Sequence, residues 1–203
     1  MNQNKVKTLQ TLLESGLELF GRNGYDSVTI RQISEYTGLN SSLISYYFGG
    51  KKQYYIAVVG YVTDILLEHF TRFDESELQR QSVSELEATI KETVNRFYAW
   101  FSSDNGINGT QIFFYETVSQ RFPEVKVHFE RAVNFITPYF INLFTLYYER
   151  TNRAHVNPVF VWILLISITQ NLSLHSNAPD EARKAFDNAN IAENMINLIL
   201  QMR

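Results

Sequence analysis

The chain has 203 residues, 45% of them apolar, so it can bury a substantial core as one large domain or two unequal ones. It has no cysteine, which excludes disulfide scaffolds, thiolate zinc sites and cysteine nucleophiles. The net charge of −3 is unevenly spread, with six Lys or Arg against four Asp or Glu in residues 1–60 and twelve against seventeen in the remainder. That is the pattern of a small basic segment joined to an acidic body.

The opening residues are polar and then amphipathic, without the apolar core and cleavage site of a secretory signal, and the run Val159 to Ile166 is too short to span a bilayer. The expectation is a cytoplasmic protein with no membrane partner. Val6, Leu9, Leu13, Leu17 and Phe20 repeat at helical spacing, and Asn23-Gly24 supplies a stop. Thr29 followed by Gln32 has the form of a capping box, with Val28 and Ile33 placed as a hydrophobic staple, so a second helix is predicted from Ile30 to about Tyr36. Gly38 then permits a tight turn, Asn40 can cap, and a third helix runs from Ser41 to about Tyr47, only about 10 Å long.

From Lys51 the apolar positions Tyr54, Tyr55, Val58, Tyr61, Val62, Ile65, Leu66 and Phe70 describe a long helix. Further helices are predicted over roughly 84–101, 110–119, 124–149, 158–175 and 179–202. The breaks between them fall at "SSDNGING", "RFPE", "RTNRAHVNP" and "SNAPD". No strand or internal repeat is evident, so the fold class is all-α. Residues 1–50 form a helix-turn-helix segment of three helices, and residues 51–203 form a larger helical domain.

The helix, glycine turn and short helix between Thr29 and Phe48 make the arrangement whose second helix enters a major groove. Ser41, Ser42 and Ser45 are short enough to let backbone approach DNA, and their hydroxyls can reach base edges or phosphates. Tyr46, Tyr47, Thr29 and Lys51 flank them as phosphate anchors, while Phe48 is expected to pack inward.

Residues 7–58 resemble the DNA-binding domain of TetR-family transcriptional regulators, through "LLESGLELFGRNGYDSVTI" and then "RQISEYTGLNSSLISYYFGGKKQYYIAVV". The resemblance implies an all-helical homodimer with an N-terminal three-helix reader and a C-terminal domain for effector binding and dimerisation. It puts Thr29 and Arg31 at the start of the support helix, Ser41, Ser42, Ser45 and Tyr46 toward the groove, and Tyr47 and Lys51 on phosphates. Members often carry a lysine and glycine after the capping residue and a histidine before the phenylalanine; Ser41, Ser42 and Tyr47 stand there instead, which bears on the operator and not on the fold.

Other constellations are weaker. "GGKK" fails as a phosphate loop, since Ser45 replaces its first glycine and Lys52 its hydroxyl residue. His69, His128, His155 and His175 lack metal-site spacing, and no pair of carboxylates stands out as an acid/base dyad. No metal, cofactor or catalytic residue is therefore expected. In the aromatic C-terminal body, Trp100, Phe101, Phe114, His128, Phe135, Tyr139 and Trp162 are candidates to line a pocket for an uncharged or weakly charged organic ligand. The apolar helix around Val159 to Ile168, with the stripe Ile191, Met195, Ile196 and Ile199, is a candidate dimer seam.

The sequence thus reads as a dimeric regulator of transcription, a repressor released by a small-molecule effector, bound to a palindromic operator in double-stranded DNA. The alternative is a helical ligand-binding or enzymatic protein with a vestigial reader.

Overall fold

The structure is a computed structural model that describes residues 3–70, 74–175, 181 and 190–202. Among the described residues there are helices and no strand. The helices are α1 (Gln3–Ser27), α2 (Ile30–Thr37), α3 (Ser42–Phe48), α4 (Lys51–Phe70), α5 (Glu75–Leu78), α6 (Val83–Phe101), α7 (Asp104–Ser119), α8 (Lys126–Arg150), α9 (Pro158–His175) and α10 (Ile191–Gln201), with a 3-10 turn at Pro123–Val125. The all-α class read from the sequence holds, and a three-helix N-terminal motif precedes a larger helical remainder. The predicted helix over 179–202 falls partly on residues 182–189, which lie outside the described residues.

Two compact units divide the chain: residues 1–66 with 104–132, and residues 67–103 with 133–203. The sequence division after residue 50 does not coincide with them, because most of α4, part of α7 and Val125 share one core with the first three helices. That core holds Leu12, Leu17, Phe20, Ile33, Ile44, Tyr54, Tyr55, Val58 and Ile112, all nearly inaccessible. Val28 and Ile33, the expected staple pair, are both buried in it.

Close backbone approach explains why α7 begins at Asp104 and not at Thr110. "DNGING" reads as a break because glycine disfavours helices, yet two of its residues, Asn108 and Gly109, are points of close contact here. A Cβ added to Gly21 of α1 would stand 2.7 Å from Asn108 Cα, and one added to Gly109 would stand 2.7 Å from Val62 Cγ1. Helix α7 seats itself against α1 and α4 at distances only glycine permits. Gly24, the expected stop of α1, is a kink (φ 73°, ψ 166°), after which a last helical turn continues to Ser27.

In the second unit α6 buries Leu86, Ile90, Val94 and Phe97, and α8 buries Phe140, Leu143, Phe144, Tyr147 and Tyr148. Trp162 of α9 stacks on Phe140, with ring centroids 4.3 Å apart, and meets Phe97 at 5.4 Å. The stripe on α10 corrects the sequence reading: Met195, Ile196 and Ile199 are buried within this unit, and the Tyr148 hydroxyl donates to the Ile199 carbonyl at 2.9 Å. They close the subunit's own core and cannot also be its seam. Among the described residues of this unit, the large apolar side chains left exposed are Val133 and Phe135 on α8, Val159, Phe160 and Ile163 on α9 and Leu198 on α10.

The contact at Gly21 gives a direct test. Gly21→Ala gains helix propensity but drives a methyl into the Asn108 backbone, and overpacking of this kind costs about 1–3 kcal/mol. Urea unfolding is expected to show a lower midpoint with an unchanged slope.

Candidate nucleic-acid interface

Helix α2 starts where its first turn is closed by side chains. The Thr29 hydroxyl accepts from the Gln32 amide at 3.1 Å, and the Gln32 side chain accepts from the Thr29 amide at 2.8 Å, which completes the capping box. Gly38 ends the helix in the left-handed region at φ 69°, and the Ser34 hydroxyl donates to the Leu39 carbonyl at 2.5 Å across the turn. Asn40 Oδ1 then accepts from the Ser42 amide at 2.9 Å, a side-chain turn just ahead of α3, whose N-cap is Ser41 and not Asn40. Gly49, at φ 82°, closes α3 by donating its amide to the Ser45 carbonyl. The turn chemistry leaves α3 a single way to lie on α2.

Seven residues give α3 just one inward and one outward face. Ile44 is buried, while Ser42, Ser45 and Tyr46, at helical spacing, are exposed together with Ser41. Tyr46 is 74% accessible, which for a tyrosine without a partner surface is high. Phe48 is half-buried against Tyr54, with centroids 4.9 Å apart. Tyr47 lies half-buried on the flank, edge-on to Tyr46 at 4.9 Å.

The other candidate residues surround this face. Thr29 is exposed although its hydroxyl is engaged in the cap. Arg31 is exposed and paired with Glu35 on its own helix at 2.8 Å, a surface pair that a stronger anion can displace at small cost. Lys51, at the start of α4, carries its ammonium 4.2 Å from the centre of the Tyr25 ring. Partial burial lowers its pKa, Arg121 adds to this, and Asp26 opposes it. Lys52 is turned the other way, to Glu124 at 2.7 Å.

One residue escaped the sequence reading. Lys5 places its ammonium 5.7 Å from the Tyr47 ring centre, so the first turn of α1 brings a cation beside α3. The only signal was the cluster of basic residues in the first sixty positions, which does not say which of them reach the face.

The seven candidate pocket residues fall into different units. Phe114 and His128 belong to the first; Phe114 is exposed, and the half-buried His128 ring lies 3.0 Å from where a Gly60 Cβ would be, with burial lowering its pKa. In the second, Trp162 is held in the aromatic core, Trp100 is buried with its ring 5.4 Å from His69, and Phe101 packs on Phe97 at 4.6 Å. Phe135 and Tyr139 share a cleft of about 230 Å³ beside Phe70 and Phe140. Among the described residues no group of three or more His, Asp or Glu is placed to hold a metal ion, and no helix is long and apolar enough to cross a membrane.

A capped support helix, a left-handed turn and a short helix with a polar outer face define a helix-turn-helix protein. Residues 12–58 match the family model of bacterial regulatory proteins of the tetR family. The HTH-type transcriptional regulator RutR of Escherichia coli K12 is 29% identical over 109 residues, covering 48% of this chain and 51% of RutR; RutR of Shigella flexneri gives the same figures. The match thus spans about half the length of these curated relatives. Two solved structures share the fold along nearly the whole chain. GusR of Salmonella enterica has a TM-score of 0.62 at 14% identity, covering 98% of this chain and 96% of its own. A HlyIIR mutant has a TM-score of 0.50 at 16% identity, covering 97% of each. Over residues 12–58, then, the chain carries the N-terminal domain of bacterial regulatory proteins of the tetR family.

Removing the cap tests the local construction. Thr29→Ala leaves the amide of Gln32 without its acceptor and is expected to cost roughly 1 kcal/mol in urea unfolding. Thr29→Ser, which keeps the oxygen, should restore most of it.

Proposed function

We propose that the protein is a transcriptional regulator that binds a palindromic operator in double-stranded DNA as a homodimer, and that it represses until a small-molecule effector releases it. The observation that carries this reading is the split of α3 into a buried Ile44 and an exposed Ser42, Ser45 and Tyr46, in a helix-turn-helix whose support helix is closed by a capping box and whose α3 ends on a left-handed glycine. So short a helix, held so firmly and presenting only small or hydroxyl-bearing side chains, suits entry into a major groove. Ser41, Ser42, Ser45, Tyr46 and Arg31 are assigned to the bases. Thr29, Tyr47 and Lys51, with Lys5 beside Tyr47, are assigned to phosphates. The likeness to RutR, a transcriptional regulator, supports the same reading.

A second copy of the chain has a place to dock. Val159, Phe160 and Ile163 on one exposed side of α9 and Leu198 on α10 present apolar surface that a twofold partner would cover. An effector is assigned to the second unit of the helical body, where Phe135 and Tyr139 share a cleft and Trp100, Phe101 and Trp162 remain candidates; Phe114 and His128 belong to the first unit.

Electrophoretic shift against the DNA flanking the gene tests the first half. Lys51→Ala is expected to weaken binding to all sequences and flatten the salt slope by about one unit, since one phosphate contact releases about one counterion. Ser45→Ala or Arg31→Ala should instead change which bases are preferred in a randomised operator library. Uniform loss in all three would show that these residues do not read sequence, and absence of any shift would favour a ligand-binding protein with a vestigial reader.

Sedimentation tests the second half. Ile163→Glu puts a charge on the exposed side of α9 without entering the core, and is expected to give folded monomers that bind half-sites poorly. A dimer indistinguishable from wild type would remove α9 from the interface.

A further inference from the structure

A second cleft, of about 360 Å³, opens in the first unit between the end of α7, the Pro123–Val125 turn and the start of α8. Its volume lies in the range of small-molecule sites, about 300–1,000 Å³. Phe113, Phe122 and Phe129 line it, with Phe113 and Phe129 at a centroid distance of 5.7 Å. Glu116 lines it as well. One oxygen of that carboxylate, Oε1, accepts from the Tyr55 hydroxyl at 2.9 Å; the other, Oε2, is buried with no donor.

The surrounding charges do not supply that donor. Lys126, on the cleft wall, reaches toward Glu130 of its own helix at 3.4 Å. Arg121 is engaged by Asp26 at 2.5 Å, and Lys52 by Glu124 at 2.7 Å. Lys51 rests on the Tyr25 ring. Each of these cations thus already has an acidic or aromatic partner, and Glu116 Oε2 remains a buried acceptor beside an aromatic cleft. A buried acceptor left unpaired is costly, and aromatic faces attract cations.

We propose that this cleft binds a small organic cation, a primary or secondary ammonium on an aromatic or apolar body. The ammonium N–H donates to Glu116 Oε2 and the body packs among Phe113, Phe122 and Phe129. The site is wired to the reader. Tyr55, which holds Glu116, packs edge-on to Tyr25 at 5.0 Å, and Tyr25 carries Lys51; Phe122 meets Tyr25 at 4.8 Å, and Glu124 holds Lys52. A ligand that draws Glu116 toward itself therefore loosens the ring contacts that position the first turn of α4. This consequence for DNA rests on the regulatory reading above, whereas the binding site does not.

Calorimetry on the full chain with 2-phenylethylammonium, and with 2-phenylethanol as its uncharged counterpart, decides the site. The ammonium is expected to bind about tenfold more tightly or better, as one charge-assisted hydrogen bond provides. Glu116→Gln, which keeps an acceptor for Tyr55, should abolish that preference with the circular dichroism spectrum unchanged. If Glu116→Gln does not fold, Phe129→Leu, on a partly exposed wall residue, should weaken both probes. No binding up to about 10 mM, well above the millimolar affinity of a minimal ligand, overturns the site and leaves the cleft to water. Equal affinities for the two probes overturn it too, as does an ammonium affinity unaltered in folded Glu116→Gln or, where that variant does not fold, in Phe129→Leu. An electrophoretic shift with and without the ammonium separates the two readings. Binding without an effect on DNA affinity keeps the site and overturns its coupling to the reader, while a protein that shifts no DNA at all overturns the regulatory reading and leaves the calorimetric result standing.

Discussion

A helix of seven residues does not hold its shape in water, since isolated helices are marginal until they reach about 12–15 residues. Everything about the first unit follows from that limit. Helix α3 contributes one fully buried side chain, Ile44, and needs its position fixed from outside. The fixing is done at both ends by left-handed glycines, Gly38 and Gly49, and underneath by Phe20, Tyr54 and Val58, which belong to α1 and α4. Rigidity borrowed from longer helices lets the outer face of α3 consist of serines and a tyrosine, none of which is needed for packing.

The longer helices are themselves joined by hydroxyl-bearing rings. The Tyr54 hydroxyl donates to the Leu12 carbonyl at 2.5 Å, and the Tyr55 hydroxyl donates to Glu116, so each ring fills the core with its body and ties a second helix with its tip. Burial raises both phenol pKa values, and for Tyr55 the nearby Glu116 carboxylate raises it further. Both therefore stay neutral donors at any physiological pH. Phe20 meets Tyr25, Tyr54 and Tyr55 at 5.0–6.1 Å, so α1 and the first turns of α4 share one set of ring contacts, which Phe122, past the end of α7, joins through Tyr25 and Tyr55. Displacement at any member is felt as lost packing at the others, because interiors of this density have little slack.

The parts of this structure that were legible in the sequence are those decided within a few residues. The Thr29–Gln32 capping box, the Gly38 turn and the bounds of α2 to within a residue all depend on groups that meet their own backbone. The outward turn of Ser41, Ser42 and Ser45 was legible as well, while the side chain that α3 buries most fully is Ile44 and not the Phe48 expected to pack inward. Lys5 was not: nothing in the chain says that the start of α1 will come beside Tyr47, fully 42 positions away.

What was misread turns on whether an apolar or small residue faces its own subunit. "DNGING" looks like a loop because two glycines lower helix propensity, and only the structure shows that Gly109 gives room to Val62 and Gly21 of α1 gives room to Asn108, so that α7 can pack closely. The α10 stripe has the same ambiguity in reverse. An amphipathic period states that one face will be buried and is silent about whose surface does it. Tyr148 decides the matter by donating to the Ile199 carbonyl, a bond that holds α10 on α8 with its apolar side inward. With that face used up, the surface proposed for a partner consists of Val159, Phe160 and Ile163 on α9 with Leu198 on α10, and it centres on the helix whose nearly all-apolar circumference had left both answers open.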